Sequence, residues 1–179
     1  MTTVYGPNKV LNGGFETAGG GGADVWANWV EYKEVGGVIA DETVDVHSGG
    51  HAAKITMGAN RAENIMSDPF AVAAGTTQTL ICWGHGDGVG SPMYWVQDVT
   101  HGARIVNDTS MGIPGTVYGQ VTKTFVVPAG CTSVLVGFYP RWAVGGVAYF
   151  DDVSVREIIS TDWRVEAPNR FGIVEAPSA

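Results

Sequence analysis

The histidines and carboxylates of this chain show no arrangement typical of a catalytic centre. No Gly-x-Ser-x-Gly elbow and no phosphate-binding loop is present. The neighbours Asp41 and Glu42 could serve glycoside hydrolysis, but that chemistry needs two carboxylates across a cleft, which a sequence does not show. The four histidines lie in turn-like contexts without the spacing of a metal-binding His-x-x-x-His: His47, His51, His85 and His101. The sequence therefore favours a protein that is not an enzyme.

The aromatic side chains indicate a different chemistry, the binding of sugars. The apolar face of a pyranose stacks on aromatic rings, and neighbouring polar groups bind its hydroxyls. Strand alternation puts Trp95 and Gln97 on one face of their segment and Trp83 on the outward face of another, while Tyr139 and Trp142 stand at the end of a third. We predict that these five residues form a sugar-binding platform on a concave sheet. Burial in the core is the alternative for each tryptophan, because large aromatic residues are mostly buried.

Strands must position these side chains. Six segments alternate between apolar and polar residues and are rich in β-branched and aromatic types. They are AAKITM (52–57), TQTLICW (77–83), MYWVQDV (93–99), GQVTKTFVV (119–127), TSVLVGFY (132–139) and VAYFDDVSV (147–155). The stretch from Val10 to Glu16 also reads as a strand, one that ends on a carboxylate before a loop of four glycines. No segment has a helical stripe, so we predict an all-β fold, a two-sheet antiparallel β-sandwich of jelly-roll type.

A series of short motifs in this order resembles the calcium-containing β-sandwich carbohydrate-binding modules. NGGFE (12–16) matches the first-strand signature Asn-x-Gly-Phe-Glu, and HSGGHAAKI (47–55) matches Ser-Gly-x-x-Ala-x-x-Ile with one residue inserted. The strand QTLICWG (78–84), its partner corner FVVPAG (125–130) and the final Asp-Asp-Val-Ser-Val (151–155) fit the same order. The resemblance covers residues 10–157 and implies the fold more strongly than a function, because this sandwich carries many roles.

The resemblance implies one structural calcium ion that joins the two ends of the domain. Glu16 and Asp151 would supply side-chain oxygens, with Asp152 as the alternative to Asp151. Backbone carbonyls would come from three further residues: Gly14, Ser48 and His51. Calcium binds several hard oxygen ligands of this kind in flexible geometry. Because Asp151 has the parity of Val153 and Val155, we expect it to point inward, where a carboxylate needs a counter-charge. Two exposed carboxylates at strand ends are the alternative.

The chain divides into an N-terminal arm (1–9), the sandwich (10–157) and an extended C-terminal tail (158–179). The tail loses the strand alternation and repeats Val-Glu-Ala-Pro at 165–168 and 174–177. Each proline blocks a helix and favours an extended residue before it. A disordered tail is one interpretation. Because apolar residues are costly to leave in water, we predict instead that Trp163, Phe171 and Ile173 dock on a neighbouring subunit.

Composition narrows the range of partners. The chain of 179 residues has a formal net charge of −8 and no cluster of Lys and Arg, so nucleic acids and anionic membrane surfaces are unfavourable partners. No apolar stretch is long enough to span a bilayer, and the N-terminus has no secretory signal pattern. Cys82 and Cys131 both lie in apolar runs, which favours buried free thiols over a disulfide.

Two functions remain open. The first is a free-standing, extracellular carbohydrate-binding module of a polysaccharide-degrading system. The second, which we prefer, is a bacteriophage virion surface protein, either a decoration or a tail-associated protein, made in the host cytoplasm and docked on an assembly through its termini. The absence of a signal peptide and of a linker favours the second. Its partners would be neighbouring virion or homo-oligomer subunits, and glycan binding on the virion surface would reconcile the two.

Overall fold

The structure of the protein, a computed structural model, describes residues 3–141 and 143–160. These residues form fourteen β-strands and no helix, so no helix in this part of the chain could cross a membrane. The strands are β1 (Val4–Tyr5), β2 (Ala18–Gly21), β3 (Asp24–Trp26), β4 (Trp29–Tyr32), β5 (Val38–Glu42), β6 (Ala52–Thr56), β7 (Asn64–Ser67), β8 (Phe70–Ala71), β9 (Thr77–Gly86), β10 (Pro92–Asp98), β11 (Ala103–Ser110), β12 (Gly119–Val126), β13 (Ser133–Pro140) and β14 (Val147–Ser160).

Two antiparallel sheets pack face to face and confirm the predicted sandwich. Sheet I has the strand order β12-β9-β14-β6-β5, with β1 paired to β14. Sheet II has the order β11-β10-β13-β7-β4, with β8 paired to β13. The strands β2 and β3 form a separate ribbon. The consecutive strands β9 and β10 lie in different sheets, which decides where the aromatic residues of the predicted platform lie.

Alternate residues of both sheets form one apolar core between them. Sheet I contributes Leu80 and Phe150, and sheet II contributes Val96 and Phe138, all four fully buried. The rings of Phe138 and Phe150 lie 5.1 Å apart across the two sheets. Both cysteines are free and buried, as predicted. The core is therefore closed without a disulfide in the described chain.

The six predicted strands are all present, and strand pairing in sheet I continues past both predicted ends of the sandwich (10–157). The strand β14 continues past residue 157 to Ser160, and β1 pairs with its end, Tyr5 with Ile158. Asn8 also accepts a hydrogen bond from the backbone N–H of Val155 at 3.0 Å. Residues 4–5 of the arm and residues 158–160 of the predicted tail therefore pair within sheet I.

The stretch from Val10 to Glu16 is not a strand, contrary to prediction. It is a series of turns in which Asn12 and Phe15 have positive φ angles of 50° and 58°. Gly13 allows this path, since a Cβ there would lie 1.9 Å from the carbonyl oxygen of Val153. The glycine run that follows forms the ribbon β2–β3, and Asp24 accepts a 2.6 Å hydrogen bond from the N–H of Gly20.

Candidate functional site

Asp151 and Asp152, near the end of the domain, approach Gly14 and Glu16, near its start. A methyl group built on Gly14 would lie 3.6 Å from Oδ1 of Asp152, 4.0 Å from Oδ1 of Asp151 and 3.8 Å from Cγ of Glu16. We call these four residues the carboxylate cluster. The two sequence motifs that supply them, NGGFE and DDVSV, are thus adjacent in space.

A β-bulge in β14 sets the direction of Asp151. Asp151 pairs with Trp83 of β9 and Ser154 pairs with Ile81, so two residues of β14 oppose one residue of β9. Asp152 occupies the bulge with a positive φ of 49°. Because of the extra residue in the bulge, Asp151 and Val153 point to opposite faces of sheet I although they are two residues apart. Asp151 lies on the same side as Trp83 and does not point into the core. Our prediction of an inward Asp151 was wrong for this reason.

Asp151 is nevertheless fully buried, because the loop before β6 covers it. Its Oδ2 accepts hydrogen bonds from the backbone N–H groups of His47 (2.9 Å) and Ser48 (3.1 Å), and its Oδ1 accepts one from Asp152 (2.7 Å). Burial raises the pKa of Asp151 to about 6 despite these donors. The carboxylate is thus held in position in an environment that disfavours its negative charge.

Glu16 fastens the other end of the same loop. Its Oε1 accepts hydrogen bonds from the N–H groups of Gly50 (2.9 Å) and His51 (3.2 Å). A Cβ at Gly49 would lie 2.0 Å from this oxygen, and Gly49 has a positive φ of 65°. Ser48 and His51 therefore contact the cluster through their N–H groups, whereas the resemblance implied that their carbonyls would face it.

The sequence interpretation missed His47. Its Nδ1 lies 2.6 Å from Oδ2 of Asp152, whose Oδ1 accepts a 2.9 Å hydrogen bond from the hydroxyl of Ser48. His47, Asp151 and Asp152 bring their ligand atoms within 4.8 Å of one another. The position of His47 directly before the Ser-Gly motif was the available signal. Its imidazole also stacks on Trp83, with ring centroids 3.8 Å apart.

Each of the four histidines contacts a carboxylate rather than a nucleophile. The pairs are His47–Asp152, His51–Asp41, His85–Asp45 and His101–Asp98, with nitrogen–oxygen distances of 2.6, 2.8, 3.2 and 2.6 Å. Three of these pairs fasten residues 45–51 to sheet I or to its edge strand β5. The histidines thus serve to position loops in the described chain.

A second feature, a groove on the outer face of sheet II, contains three members of the predicted platform. Trp95, Gln97 and Tyr139 line a hollow of about 460 Å³ together with Arg104 and Asp108. An adjoining hollow of about 400 Å³ shares Tyr139 and Asp108 and extends to Arg141 and Met93. We call the two hollows the sheet II groove. The register of β10 with β11 and β13 brings these side chains together.

Trp83 does not belong to this groove. It lies on β9 in sheet I, whereas Trp95 lies on β10 in sheet II. Both residues point away from the core, but from opposite faces of the sandwich. The shared platform that we predicted for Trp83 and Trp95 is therefore wrong.

Trp95 lies flat between the sheet and Arg104. Its Cα partner on β13 is Gly137, where a Cβ would lie 2.1 Å from Cζ2 of the indole. The Arg104 guanidinium covers the ring from the other side, 4.5 Å from the ring centroid. Only 4% of Trp95 is exposed. The face of the Trp95 ring is therefore covered, and the guanidinium of Arg104 faces the groove in its place.

Polar groups surround this stacked pair. The Nη1 of Arg104 donates a 2.8 Å hydrogen bond to Oε1 of Gln97. Tyr139 packs against Trp95, with ring centroids 5.5 Å apart. Burial, together with the neighbouring Asp108, raises the pKa of Tyr139 to about 12. Arg104 is the Cα partner of Gln97 in β11, a strand that we had not predicted. The other predicted site residues lie outside the described residues: Trp142, Trp163, Phe171 and Ile173.

No protein-family model and no curated protein matches the chain by sequence. Solved structures do resemble it. The enzymatically active domain of tailspike protein 4 from bacteriophage CBA120 superimposes with a TM-score of 0.62 and 15% identity, over 84% of this chain and 21% of that one. TmCBM61 in complex with β-1,4-galactotriose gives 0.59 and 15%, over 84% and 98%. The Stig cyclase Fisc from Fischerella sp. TAU gives 0.62 and 14%, over 87% and 98%.

At these identities the likeness establishes the fold alone. Carbohydrate-binding modules recur among the similar structures, including a xylan-binding CBM22 module and modules of families 16 and 4. The chain therefore has the β-sandwich fold of the carbohydrate-binding modules.

Proposed function

We propose that this protein is a non-catalytic glycan-binding protein and that the sheet II groove is its binding site. The observation that carries the proposal is the groove itself, a hollow of about 460 Å³ in which polar side chains from adjacent strands lie over the buried rings of Trp95 and Tyr139. Gln97 keeps its amide N–H₂ for a ligand, because its Oε1 binds Arg104. The occurrence of the same fold in TmCBM61, solved with a galactotriose, supports this assignment.

A pair of matched substitutions tests the proposal. Gln97→Ala removes a side chain from the groove, and Gln120→Ala removes the same side chain from the exposed face of sheet I, opposite Trp83. Once a glycan array has identified a ligand, calorimetry should show weaker binding for Gln97→Ala and unchanged binding for Gln120→Ala. Equal affinities in both variants would place the glycan elsewhere, and an array without any ligand would reject the proposed function.

We propose in addition that the carboxylate cluster binds one structural calcium ion. Asp151 and Asp152 offer hard oxygens near Gly14, Glu16 approaches the same glycine through its Cγ, and no Lys or Arg among the described residues forms an ion pair with any of the three carboxylates. A bound divalent cation would supply the positive charge that the buried Asp151 lacks. It would also hold the start and the end of the domain together.

Chelation tests this site. At a calcium concentration one hundred times the dissociation constant, binding should stabilise the fold by about 2.7 kcal/mol. Glu16→Gln should abolish this calcium-dependent shift in the free energy of unfolding, whereas Glu157→Gln, farther along β14, should retain it. Identical unfolding curves in calcium and in chelator, with no metal found by elemental analysis, would reject the site.

We infer, finally, that the protein acts on the surface of a virion, as a decoration or tail-associated protein. The likeness to a domain of a phage tailspike and the apolar residues that follow Ser160 in the sequence support this inference. An extracellular module of a polysaccharide-degrading system is the alternative. Light scattering separates them, because a decoration protein should self-associate or sediment with particles, and a free module should remain a monomer.

A further inference from the structure

Three arginines border the sheet II groove in a protein with a net charge of −8. Arg61 and Arg104 line the larger hollow, and Arg141 lines the adjoining one. They are three of the four arginines in the described chain, the fourth being Arg156 on β14. Positive charge is thus concentrated where the proposed function places the ligand.

The carboxylates near these arginines already have other partners. Glu63 is buried, and its two oxygens accept hydrogen bonds from the N–H groups of Gly58 (2.8 Å) and Glu34 (3.4 Å). Glu34 accepts a 3.0 Å hydrogen bond from the hydroxyl of Tyr32 and a second from the amide of Asn60. Glu63, which lines the larger hollow, and its neighbour Glu34 therefore both bind neutral donors.

The third carboxylate, Asp108, lies beside the hydroxyl of Tyr139 and raises the pKa of that tyrosine. Within residues 3–141 and 143–160, ion pairs with carboxylates involve only Lys54 and histidines, so none of the three groove arginines has a carboxylate within 4.0 Å. The guanidinium groups are left available for an anion from outside the chain.

Arg104 is also held in place for such a contact. Its guanidinium rests on Trp95, which rests on Gly137, and one of its N–H groups is fixed by Gln97. A guanidinium has five N–H donors, so the others remain for a ligand. Because Arg104 covers the indole, a sugar ring cannot stack on Trp95 without displacing it. The arrangement favours recognition through charge over recognition through ring stacking.

We propose that the sheet II groove binds an anionic glycan, a polysaccharide whose sugars carry carboxylate or sulfate groups. This inference rests on the proposed glycan-binding function and adds the chemical class of the ligand. A guanidinium binds planar carboxylates and tetrahedral oxyanions through paired charge-assisted hydrogen bonds. Arg104 makes the central contact, and Arg61 and Arg141 flank it along the groove.

The experiment measures binding of the full chain to three polysaccharides by calorimetry: polygalacturonate, κ-carrageenan and neutral β-1,4-galactan. Either anionic polymer should bind more tightly than the neutral one, and which of them binds better distinguishes carboxylate from sulfate. Affinity should fall as sodium chloride is raised from 50 to 500 mM, because salt screens exposed charges. Arg104→Gln should weaken binding by about tenfold, the loss of one charge-assisted contact.

Arg156→Gln is the matched control, since it removes the same charge from sheet I. Arg141→Gln serves as a second groove variant if Arg104→Gln disturbs the packing of Trp95. Equal losses in Arg156→Gln and the groove variants would overturn the inference by showing general electrostatic attraction. Salt-independent binding of neutral galactan alone would overturn it as well but would leave the proposed function intact. If the protein binds none of the three polysaccharides and no sugar on a glycan array, the proposed function itself is rejected.

Discussion

Substitution of Gly137 by alanine tests the layered arrangement of Gly137, Trp95 and Arg104. A Cβ at this position would lie 2.1 Å from Cζ2 of Trp95, whereas ordinary van der Waals contact begins at 3.4 Å. The indole must therefore move outward by about 1.3 Å, since packed interiors offer no free space to absorb the overlap. Moving the ring also displaces the guanidinium that rests on it.

Two opposing contributions determine how far Gly137→Ala changes the free energy of unfolding. Overpacking of this kind costs about 1–3 kcal/mol. Replacing a glycine by alanine gains about 0.4–1 kcal/mol, because the unfolded chain loses conformational freedom. We expect Gly137→Ala to lower the free energy of unfolding by about 1–2 kcal/mol in total. Binding of an anionic glycan should weaken as well, since Arg104 loses its support.

Gly115→Ala is the matched control. A Cβ at Gly115 would meet no atom within 4 Å, and this glycine does not have a positive φ. Urea unfolding should show Gly115→Ala to be as stable as the parent chain or slightly more stable, with Gly137→Ala clearly below it. Near-ultraviolet circular dichroism should change only in Gly137→Ala. Equal stability and identical spectra in the two variants would show that Trp95 does not lie on Gly137.

Three further predictions follow from the sheet I cluster and the ends of the domain. In chelator, the free energy of unfolding should fall by up to about 3 kcal/mol between pH 4 and pH 6, because the pKa of Asp151 rises from 3.8 to about 6 on folding and its ionisation then opposes folding. Calcium should remove this fall. A free energy of unfolding that does not change with pH in chelator would contradict the prediction. A chain ending at Glu157 should fold but melt at a slightly lower temperature than one ending at Ser160. It loses only the pairing of β1 with β14, which buries little, since Tyr5 is 40% exposed. Failure of the shorter chain to fold would contradict this prediction. Chelation should leave the glycan affinity of the folded protein unchanged, because the cluster and the groove lie on different sheets, and isothermal calorimetry well below the melting temperature would reveal any coupling.

Sequence patterns predicted the fold because the strands of the sandwich alternate visibly between apolar and polar residues. The grouping of Glu16 with Asp151 came instead from the resemblance of their motifs to those of the carbohydrate-binding modules, since the two residues lie far apart in the chain. The direction of Asp151 was not predictable in this way, since one extra residue in a bulge reverses the parity of everything before it. The bulge is marked by the positive φ of Asp152, which no sequence pattern at that position predicts.

The groove was harder to predict, because its composition depends on the sheet to which each strand belongs. Trp83 and Trp95 are both aromatic, both outward-facing and on consecutive strands, yet the connection between β9 and β10 passes from sheet I to sheet II. Non-local pairing decides this, and alternation within a strand carries no information about it. Arg104 and Asp108 were missed for a simpler reason, namely that β11 has too few apolar residues to be recognised as a strand.

The carboxylate cluster and the groove lie on different sheets of the sandwich. Sheet I contains the pairing of the chain ends, the bulge and the carboxylate cluster, all of which determine whether the domain closes. The groove lies on the outer face of sheet II, and its residues Arg104 and Gln97 are not part of the core that Val96 and Phe138 form on the inner face of the same sheet. Groove side chains can therefore change without opening the core, as long as Gly137 keeps the space for Trp95. A sandwich built in this way can retain its fold while the side chains of one face change, which agrees with the 14–15% identity of three similar structures to this chain.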